Sequence, residues 1–339
     1  MRVPYPRPQN FMTPSLPLQK SLPLASPLVY GCMGLGGSWD AQVALSEADI
    51  DHAQAAVEAA LEIGITLFDH ADIYRHGKAE ASFGALFKRQ PSLRDRMLLQ
   101  SKCGIRFADA ADPKRYDLSA GHIERSVEAS LRRLGTEQLD LLLLHRPDPL
   151  MEPAEVAEAF ARLRAAGKVR HLGVSNMQAA QMQWLASALD APLVANQLEL
   201  SLAKLDAFEA GTCFNHPQAI HHPASLAWAG TLEHCQRQGI QIQAWAPLAQ
   251  GIFSGNAPAD APDRVTRTAA LVQQLAETHN APSESIVLAW LMRHPAGIQP
   301  VIGTADPARI RACGAAARLR LSREEWFDLY VAARGTELP

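Results

Sequence analysis

The sequence predicts an α/β fold of eight strand-helix repeats, the count of a closed parallel barrel. Two observations carry this reading. Eight short apolar runs alternate with longer segments of helical period almost to the end of the 339 residues. The runs are apolar throughout, as strands covered on both faces are, and parallel strands need crossover helices between them. Length fits as well: at roughly 100 to 200 residues per domain it allows two domains, whereas one barrel of about 250 residues, or more with insertions, is a single domain. An open, doubly wound sheet predicts the same alternation, so the polar residues at the strand ends must decide.

In chain order the apolar runs centre on residues 28–31, 66–69, 97–102, 139–145, 171–175, 194–197, 240–245 and 299–302. Residues 1–27 form a leader broken by Pro4, Pro6, Pro8, Pro14, Pro17 and Pro23; the barrel is expected over 28–330 and a short tail over 331–339. Between the first two runs, Ser46 and Asp49 form a helix-opening pair, Ile50, Ala53, Val57, Ala60 and Leu61 share one face, and Gly64 stands where a glycine ends a helix. Val127, Leu131 and Leu134 before Gly135 repeat the scheme, as do Val156, Phe160 and Leu163 before Gly167. Met182, Leu185 and Leu189 mark a helix after the fifth run, and Ile286, Leu288 and Leu291 one before the eighth. Residues 202–225 form a long connection before a helix expected from about 228 to 238, and loops of that length are often functional. Ser322 and Glu325 open a last helix ahead of Trp326.

Charge and cysteine content narrow the function classes. Lys plus Arg number 32 against 35 Asp plus Glu, a formal net charge of -3, with no long run of like charge. Nothing there draws in a polyphosphate backbone or an anionic membrane, so neither is expected as a partner. No apolar stretch approaches the ~18 residues of a membrane span, and the proline-broken start has no continuous apolar segment for export. Cys32, Cys103, Cys213, Cys235 and Cys313 are odd in number, dispersed and without a Cys-x-x-Cys pair, which fits reduced thiols in a cytoplasm.

Three features attract a functional reading and do not earn it. The segment Gly31-Cys-Met-Gly34-Leu-Gly36-Gly37 follows a strand, but Trp39 stands where a dinucleotide fingerprint has its third glycine, and no helix opens there. Cys213, His216, His221 and His222 match no common zinc spacing, so no metal is expected. Asp69 and His70 are adjacent on a strand, face opposite ways, and cannot both enter one barrel.

The informative residues stand at the C-terminal ends of the runs, where parallel α/β folds place active sites. Asp69 ends the second run, with Tyr74 five residues on; Lys102 ends the third; His145 ends the fourth, where Pro147 stops the strand. Singly each has an ordinary explanation, as a snorkelling lysine, a satisfied core histidine or a packed tyrosine. Three consecutive strand ends bearing Asp, Lys and His, with a Tyr in reach, form a constellation. These residues resemble the aldo-keto reductase family, whose motifs are matched over residues 28–325. The resemblance implies a single-domain (β/α)8 TIM barrel that reduces carbonyls with NADPH, and it equates Asp69, Tyr74, Lys102 and His145 with that family's catalytic tetrad. The chemistry suits the residue types. Hydride addition to an aldehyde or ketone leaves an alkoxide that needs a proton from a positioned acid, and Tyr74 can supply it. Lys102 is expected to stabilise the tyrosinate and lower the phenol from its free value of about 10, with Asp69 as the counter-charge that Lys102 needs. His145, a neutral donor, would orient or polarise the carbonyl oxygen.

By the same resemblance the second half holds the cofactor. Ser175, Asn176 and Gln197 take the nicotinamide carboxamide, although Ser175-Asn176 also reads as an ordinary helix cap. Trp245 stands where the family usually has a Tyr or another aromatic stacked on the nicotinamide. Pro247, Leu248 and Gly251 resemble the loop around the pyrophosphate, where glycine lets backbone N–H groups approach an anion. Gly303, Thr304 and Arg309 surround the start of a helix expected to begin at Pro307, whose free N–H groups, with the Arg309 guanidinium, suit the 2′-phosphate of NADPH. Gly303 replaces a Lys and Ala312-Cys313 a Glu-Asn of some members, and Asp306 adds negative charge near the phosphate, so use of NADH stays open.

Substrate contacts are expected from Trp39, Ile73, Tyr74, Arg146 and part of 202–225, with Trp39 and Trp245 forming an apolar mouth for a small-molecule carbonyl. Two functions compete: a carbonyl reductase, and a nicotinamide-cofactor-binding regulatory subunit of an ion channel with little turnover, which can keep the tetrad. No channel-docking tail is seen in the sequence, which favours the enzyme. A monomer is the default for such a barrel, and an isologous dimer would leave no sequence mark.

Overall fold

Eight parallel strands close on themselves in the computed structural model, which describes residues 15–109, 112–212 and 228–339. They are β1 (Val29–Gly31), β2 (Leu67–Asp69), β3 (Leu98–Cys103), β4 (Leu139–Leu144), β5 (Val169–Ser175), β6 (Leu193–Glu199), β7 (Gln241–Trp245) and β8 (Gln299–Ile302). Each pairs with its sequence neighbour, and β1 closes the ring by pairing with both β2 (Val29 with Leu67, Gly31 with Asp69) and β8 (Tyr30 with Ile302). Closure decides the question that periodicity left open.

The crossovers are helices whose ends follow local chemistry. Helix α1 (Glu47–Glu62) opens on a reciprocal cap in which the Ser46 hydroxyl accepts from Asp49 N and the Asp49 carboxylate accepts from Ser46 N. Helix α2 (Lys78–Arg89) follows β2, α3 (Ala120–Leu134) ends on Gly135 in the left-handed conformation, and α4 (Pro153–Ala165) carries Pro153 at its first position. Helix α5 (Ala179–Ala186) is shorter than the apolar spacing predicts: Met182 and Leu185 are buried on it, but Leu189 lies beyond its end. The connection over 202–225 is partly helical, since α6 (Asp206–Thr212) lies within it. Cys213, His216, His221 and His222 lie outside the described residues. Helix α7 (Thr231–Gln238) starts three residues later than expected, because Gly230 sits in the left-handed region at φ 68°. Helices α8 (Asp263–His279), α9 (Ser283–Met292), α10 (Pro307–Cys313) and α11 (Arg323–Arg334) complete the shell, and the Ser322–Glu325 cap opens the last. A small antiparallel pair, Ile105–Arg106 with Arg115–Tyr116, tops β3 and was not visible in the apolar pattern. Among the described residues no helix is long and apolar enough to cross a membrane.

Strand period two sorts the barrel interior into layers. Val29, Leu67, Leu98, Leu141, Leu143, Ala195 and Val301 form an apolar plug near the N-terminal end. The chain from Leu16 onward seals that end: Leu18, Leu22 and Ala25 pack into the same cluster, and Ser26 exchanges hydrogen bonds with Thr66 at 2.9 and 3.0 Å. Gly173 faces inward, where a Cβ would lie 2.6 Å from the Leu143 side chain and 2.8 Å from the Ala195 carbonyl oxygen. Above the plug the inward side chains turn polar.

Candidate active site

At the C-terminal mouth the inward residues of β2 and β3 meet. Lys102, next to last in β3, has only 1% of its surface exposed, and so large a desolvation requires compensation. Its Nζ donates to Asp69 Oδ2 at 2.7 Å, to the His70 carbonyl oxygen at 3.0 Å, and lies 3.0 Å from the Tyr74 hydroxyl. All three ammonium protons are therefore placed. Tyr74 reaches the lysine because the chain after β2 turns sharply: Arg75 and His76 adopt left-handed backbone at φ 52° and 56° before Gly77 at 84°. The His145 ring stands edge-on to the Tyr74 ring with centroids 6.1 Å apart, and its Nδ1 is buried without a hydrogen-bond partner among the described residues. His70 points the other way, out of the barrel onto the Phe83 ring of α2.

Electrostatics divides these groups. Burial lowers His145 well below its usual value, and Lys102 and Arg146 add to the effect, so the imidazole is neutral near pH 7. Burial pulls the Lys102 ammonium down, but Asp69 and Tyr74 outweigh it and hold the lysine above its ordinary value. For Tyr74 the expected direction is reversed. Burial raises the phenol, Lys102 opposes that rise, Asp69 adds to it, and the net shift is upward. The ammonium moderates the cost of forming tyrosinate without bringing the phenol below its free value.

The residues expected at the cofactor come together on the neighbouring strand ends. Ser175 Oγ donates to the Gln197 carbonyl oxygen at 2.9 Å, and Asn176 Nδ2 donates to Ser175 Oγ at 2.7 Å and to the His145 carbonyl oxygen at 3.3 Å. Asn176 Oδ1 accepts from Trp245 Nε1 at 3.1 Å, which fixes the indole plane at the mouth. Beyond Trp245 the backbone is left-handed at Ala246, Ala249, Gln250 and Gly251, a run in which Pro247 and Leu248 are embedded. Alternation of right- and left-handed residues, as at Leu248 and Ala249, turns successive N–H groups into one concavity, the kind of cradle that takes an anion. Non-glycine residues in that conformation cost of order 1 kcal/mol each and persist where the fold needs them. Around Gly255 and Gly303 an added Cβ would meet nothing within 4 Å, so this side of the mouth has room for a ligand.

Arg309 closes the concavity: its Nη2 would lie 2.6 Å from a Cβ at Gly251, and its Nε lies 3.9 Å from Glu284. One expectation changes here. Helix α10 does begin at Pro307, but two of the N–H groups expected to face an anion, those of Ala308 and Arg309, donate to the Asp306 carboxylate at 2.8 and 3.4 Å. Asp306 is thus a helix cap, itself held by Thr304 Oγ1 at 3.2 Å, and the cation left for a phosphate is the Arg309 side chain. The helix terminus thus offers an anion fewer free N–H groups than the sequence suggests, and the Gly251 loop lies beside the Arg309 guanidinium.

At the rim, Arg75 lies over the Trp39 ring at 5.0 Å and Arg146 near the Trp245 ring at 5.9 Å, while His76 sits between Trp39 and Phe107. Arg75, His76 and Phe107 escaped the sequence reading. So did Gln100 and Gln243, each two residues before a site residue, Lys102 and Trp245, and hence on the same inward face.

The aldo/keto reductase family model matches residues 27–330. The chain is 39% identical over 318 residues to a 6-dehydroglucose reductase of Agrobacterium fabrum, covering 92% of this chain and 96% of that protein. It is 39% identical to the oxidoreductase YdhF of Escherichia coli, over 84% of this chain and 88% of that one. Among solved structures, an aldo-keto reductase from Klebsiella pneumoniae in complex with NADPH superposes with a TM-score of 0.67 at 27% identity, over 93% of this chain and 92% of that one. A glycerol dehydrogenase from Gluconobacter oxydans shares the fold at a TM-score of 0.74 and 22% identity, over 93% and 94% of the two chains. The chain with this closed barrel and this Asp-Tyr-Lys-His mouth belongs to the aldo/keto reductase family.

Proposed function

We propose that the protein is an NADPH-dependent carbonyl reductase in which Tyr74 is the general acid. The observation that carries this is the buried chain Tyr74–Lys102–Asp69, with successive separations of 3.0 and 2.7 Å. Bound in the mouth, NADPH would supply the hydride; Ser175, Asn176, Gln197 and Trp245 would hold its nicotinamide, Pro247, Leu248, Gly251, Gly303 and Thr304 its phosphate backbone, and Arg309 its 2′-phosphate. The residues of this chain handle the oxygen. Tyr74, a phenol that burial holds above its free value and that is protonated at neutral pH, gives its proton to the developing alkoxide. The resulting tyrosinate lies against the Lys102 ammonium, whose charge Asp69 balances, so no isolated charge forms in the buried mouth. Neutral His145 offers one N–H to the same oxygen without competing as a second acid.

The rim adds a substrate preference. Flat indole faces at Trp39 and Trp245 with guanidinium donors at Arg75 and Arg146 suit a carbonyl that also carries hydroxyl groups. A sugar carbonyl, such as that named for the 6-dehydroglucose reductases at 39% and 35% identity, is of that kind. The test is NADPH oxidation against sugar aldehydes, simple aldehydes and ketones, with Tyr74→Phe in parallel. The expected loss in Tyr74→Phe is of order 10²- to 10⁴-fold in kcat. Turnover at the parent rate would remove Tyr74 from the role of acid.

A further inference from the structure

Between the apolar plug and the mouth, the barrel is filled by four buried glutamines, Gln100, Gln197, Gln243 and Gln299, each at most 2% exposed. Their amides form one connected set. Gln100 Nε2 donates to Asp69 Oδ1 at 2.5 Å and to Gln243 Oε1 at 3.0 Å. Gln243 Nε2 donates to Gln100 Oε1 at 3.0 Å and to Gln299 Oε1 at 3.1 Å. Gln197 Nε2 donates to Gln243 Oε1 at 3.0 Å, and Gln299 Nε2 donates to the Ser26 carbonyl oxygen at 2.6 Å.

The two ends of this set can only accept: a carboxylate at Asp69 and a backbone carbonyl at Ser26. The Ser26 end fixes Gln299 with its nitrogen down and its oxygen toward Gln243. Gln243 must then donate to Gln299 and accept from Gln100 and Gln197. Gln100 is left with its nitrogen toward Asp69. Flipping any one amide would set oxygen against oxygen at a buried contact, where an unpaired polar group is costly. Filling space does not require amides: Leu67, Leu98, Leu141, Ala195 and Val301 fill most of the layer below, where one further buried glutamine, Gln241, serves backbone groups, accepting from Leu18 N and donating to the Gly297 carbonyl oxygen.

We infer that this glutamine layer is a positioning device for the reducing site. Gln100 is the positioning residue: it holds one oxygen of Asp69 so that the other serves Lys102, and Gln243 and Gln299 hold Gln100 in the sense that donates. Gln197 ties the cofactor side of the mouth to the same layer. The inference rests on the reading of Tyr74 as the acid. The ionisable groups that face Asp69 and Tyr74 are Lys102 on β3, Cys32 after β1 and His145 after β4. The layer itself carries no charge, so a pH effect created by changing Gln100 comes from the new side chain.

Two variants test this, each read as a kcat ratio to the parent from pH 5 to 9. Gln100→Met keeps the length and loses the donor; kcat falls about tenfold or more at every pH, while KM for the carbonyl and the affinity for NADPH, followed by fluorescence quenching, stay within about twofold. Gln100→Glu puts two carboxyls in hydrogen-bond contact, which share one proton at low pH and repel when it leaves. Its ratio is within a few-fold of one at the acidic end and falls at least tenfold as the pH rises. A merely structural role would leave the Gln100→Glu ratio flat with pH, and that result, or Gln100→Met within twofold of the parent, overturns the inference. Should both Gln100 variants fail to fold, Gln243→Met removes the support behind Gln100 without touching Asp69, and an unchanged kcat there overturns it equally. Full turnover in Tyr74→Phe would defeat the acid assignment and this inference together, whereas an inactive Tyr74→Phe beside flat ratios defeats the layer alone.

Discussion

Lys102→Met separates what holds the mouth together from what makes it reactive. Methionine matches the length of the lysine stem, so packing is largely kept, and the loss is the ammonium with its contacts to Asp69, His70 and Tyr74. Asp69, 2% exposed, is left as a buried charge with Gln100 as its remaining donor. Removing one partner of a buried pair costs about 3 to 5 kcal/mol. With an unfolding entropy of ~2 cal/mol/K per residue, a loss of about 4 kcal/mol lowers the thermal midpoint of a barrel this size by roughly 6 °C. Neutralising the partner as well, in Asp69→Asn with Lys102→Met, removes the uncompensated charge and restores most of that loss. Turnover does not return, because nothing then moderates the tyrosinate. The assay is thermal unfolding by circular dichroism alongside NADPH oxidation, for the parent, both single variants and the double. A single Lys102→Met variant as stable as the parent, or a double variant that regains turnover, refutes the reasoning.

Other outcomes follow from the same geometry. Arg309→Ala lowers NADPH affinity at least tenfold with little change for NADH, whereas Gly251→Ala, which places a methyl at φ 83° and 2.6 Å from Arg309 Nη2 within the loop assigned to the pyrophosphate, weakens both cofactors and NADPH the more. Equal losses for the two cofactors in fluorescence titration would place the 2′-phosphate elsewhere. Asp72 is raised from 3.8 to about 7, chiefly by burial with a contribution from Glu80. Because its folded value lies above its unfolded one, the stability it favours is complete below about pH 4 and is lost as pH rises through 7, by at most about 4 kcal/mol. Asp72→Asn therefore flattens the fall in urea midpoint between pH 5 and pH 8, and an unchanged slope would show that Asp72 is not the group responsible.

The eight strands were legible because each is covered on both faces, which leaves unbroken apolar runs that few other structures produce. Asp69, Lys102 and His145 were legible for the converse reason, as polar residues that end such runs. Gln100 and Gln243 were not. A glutamine inside an apolar run has no local signature, and its meaning depends on a partner 143 residues away that only closure of the barrel brings across. Period two does put Gln100 on the Lys102 face, a signal that singles it out once closure is granted. The left-handed backbone at Ala246, Ala249 and Gln250 was hidden because glycine usually marks such positions, and these are not glycine. Asp306 carried a legible sign, an Asp just before Pro307, but its charge drew attention where its capping geometry was the relevant property.

With Tyr74 read as the acid, the direction of its shift bears on which protonation state the resting site holds. A lysine 3.0 Å from a phenol lowers its proton affinity in open solvent, but Tyr74 is buried, and burial penalises tyrosinate more than the neighbouring ammonium relieves it. An acid held above its free value is protonated throughout the neutral range, the form that carbonyl reduction consumes. Alcohol oxidation needs the opposite form, a tyrosinate ready to take the hydroxyl proton, and that form becomes common only in alkaline solution. The same Asp69–Lys102 pair that lets tyrosinate form transiently does not make it the resting state. On the reading of Tyr74 as the acid, the resting mouth holds that acid protonated at neutral pH, as a free phenol is, and burial against one opposing ammonium keeps it so.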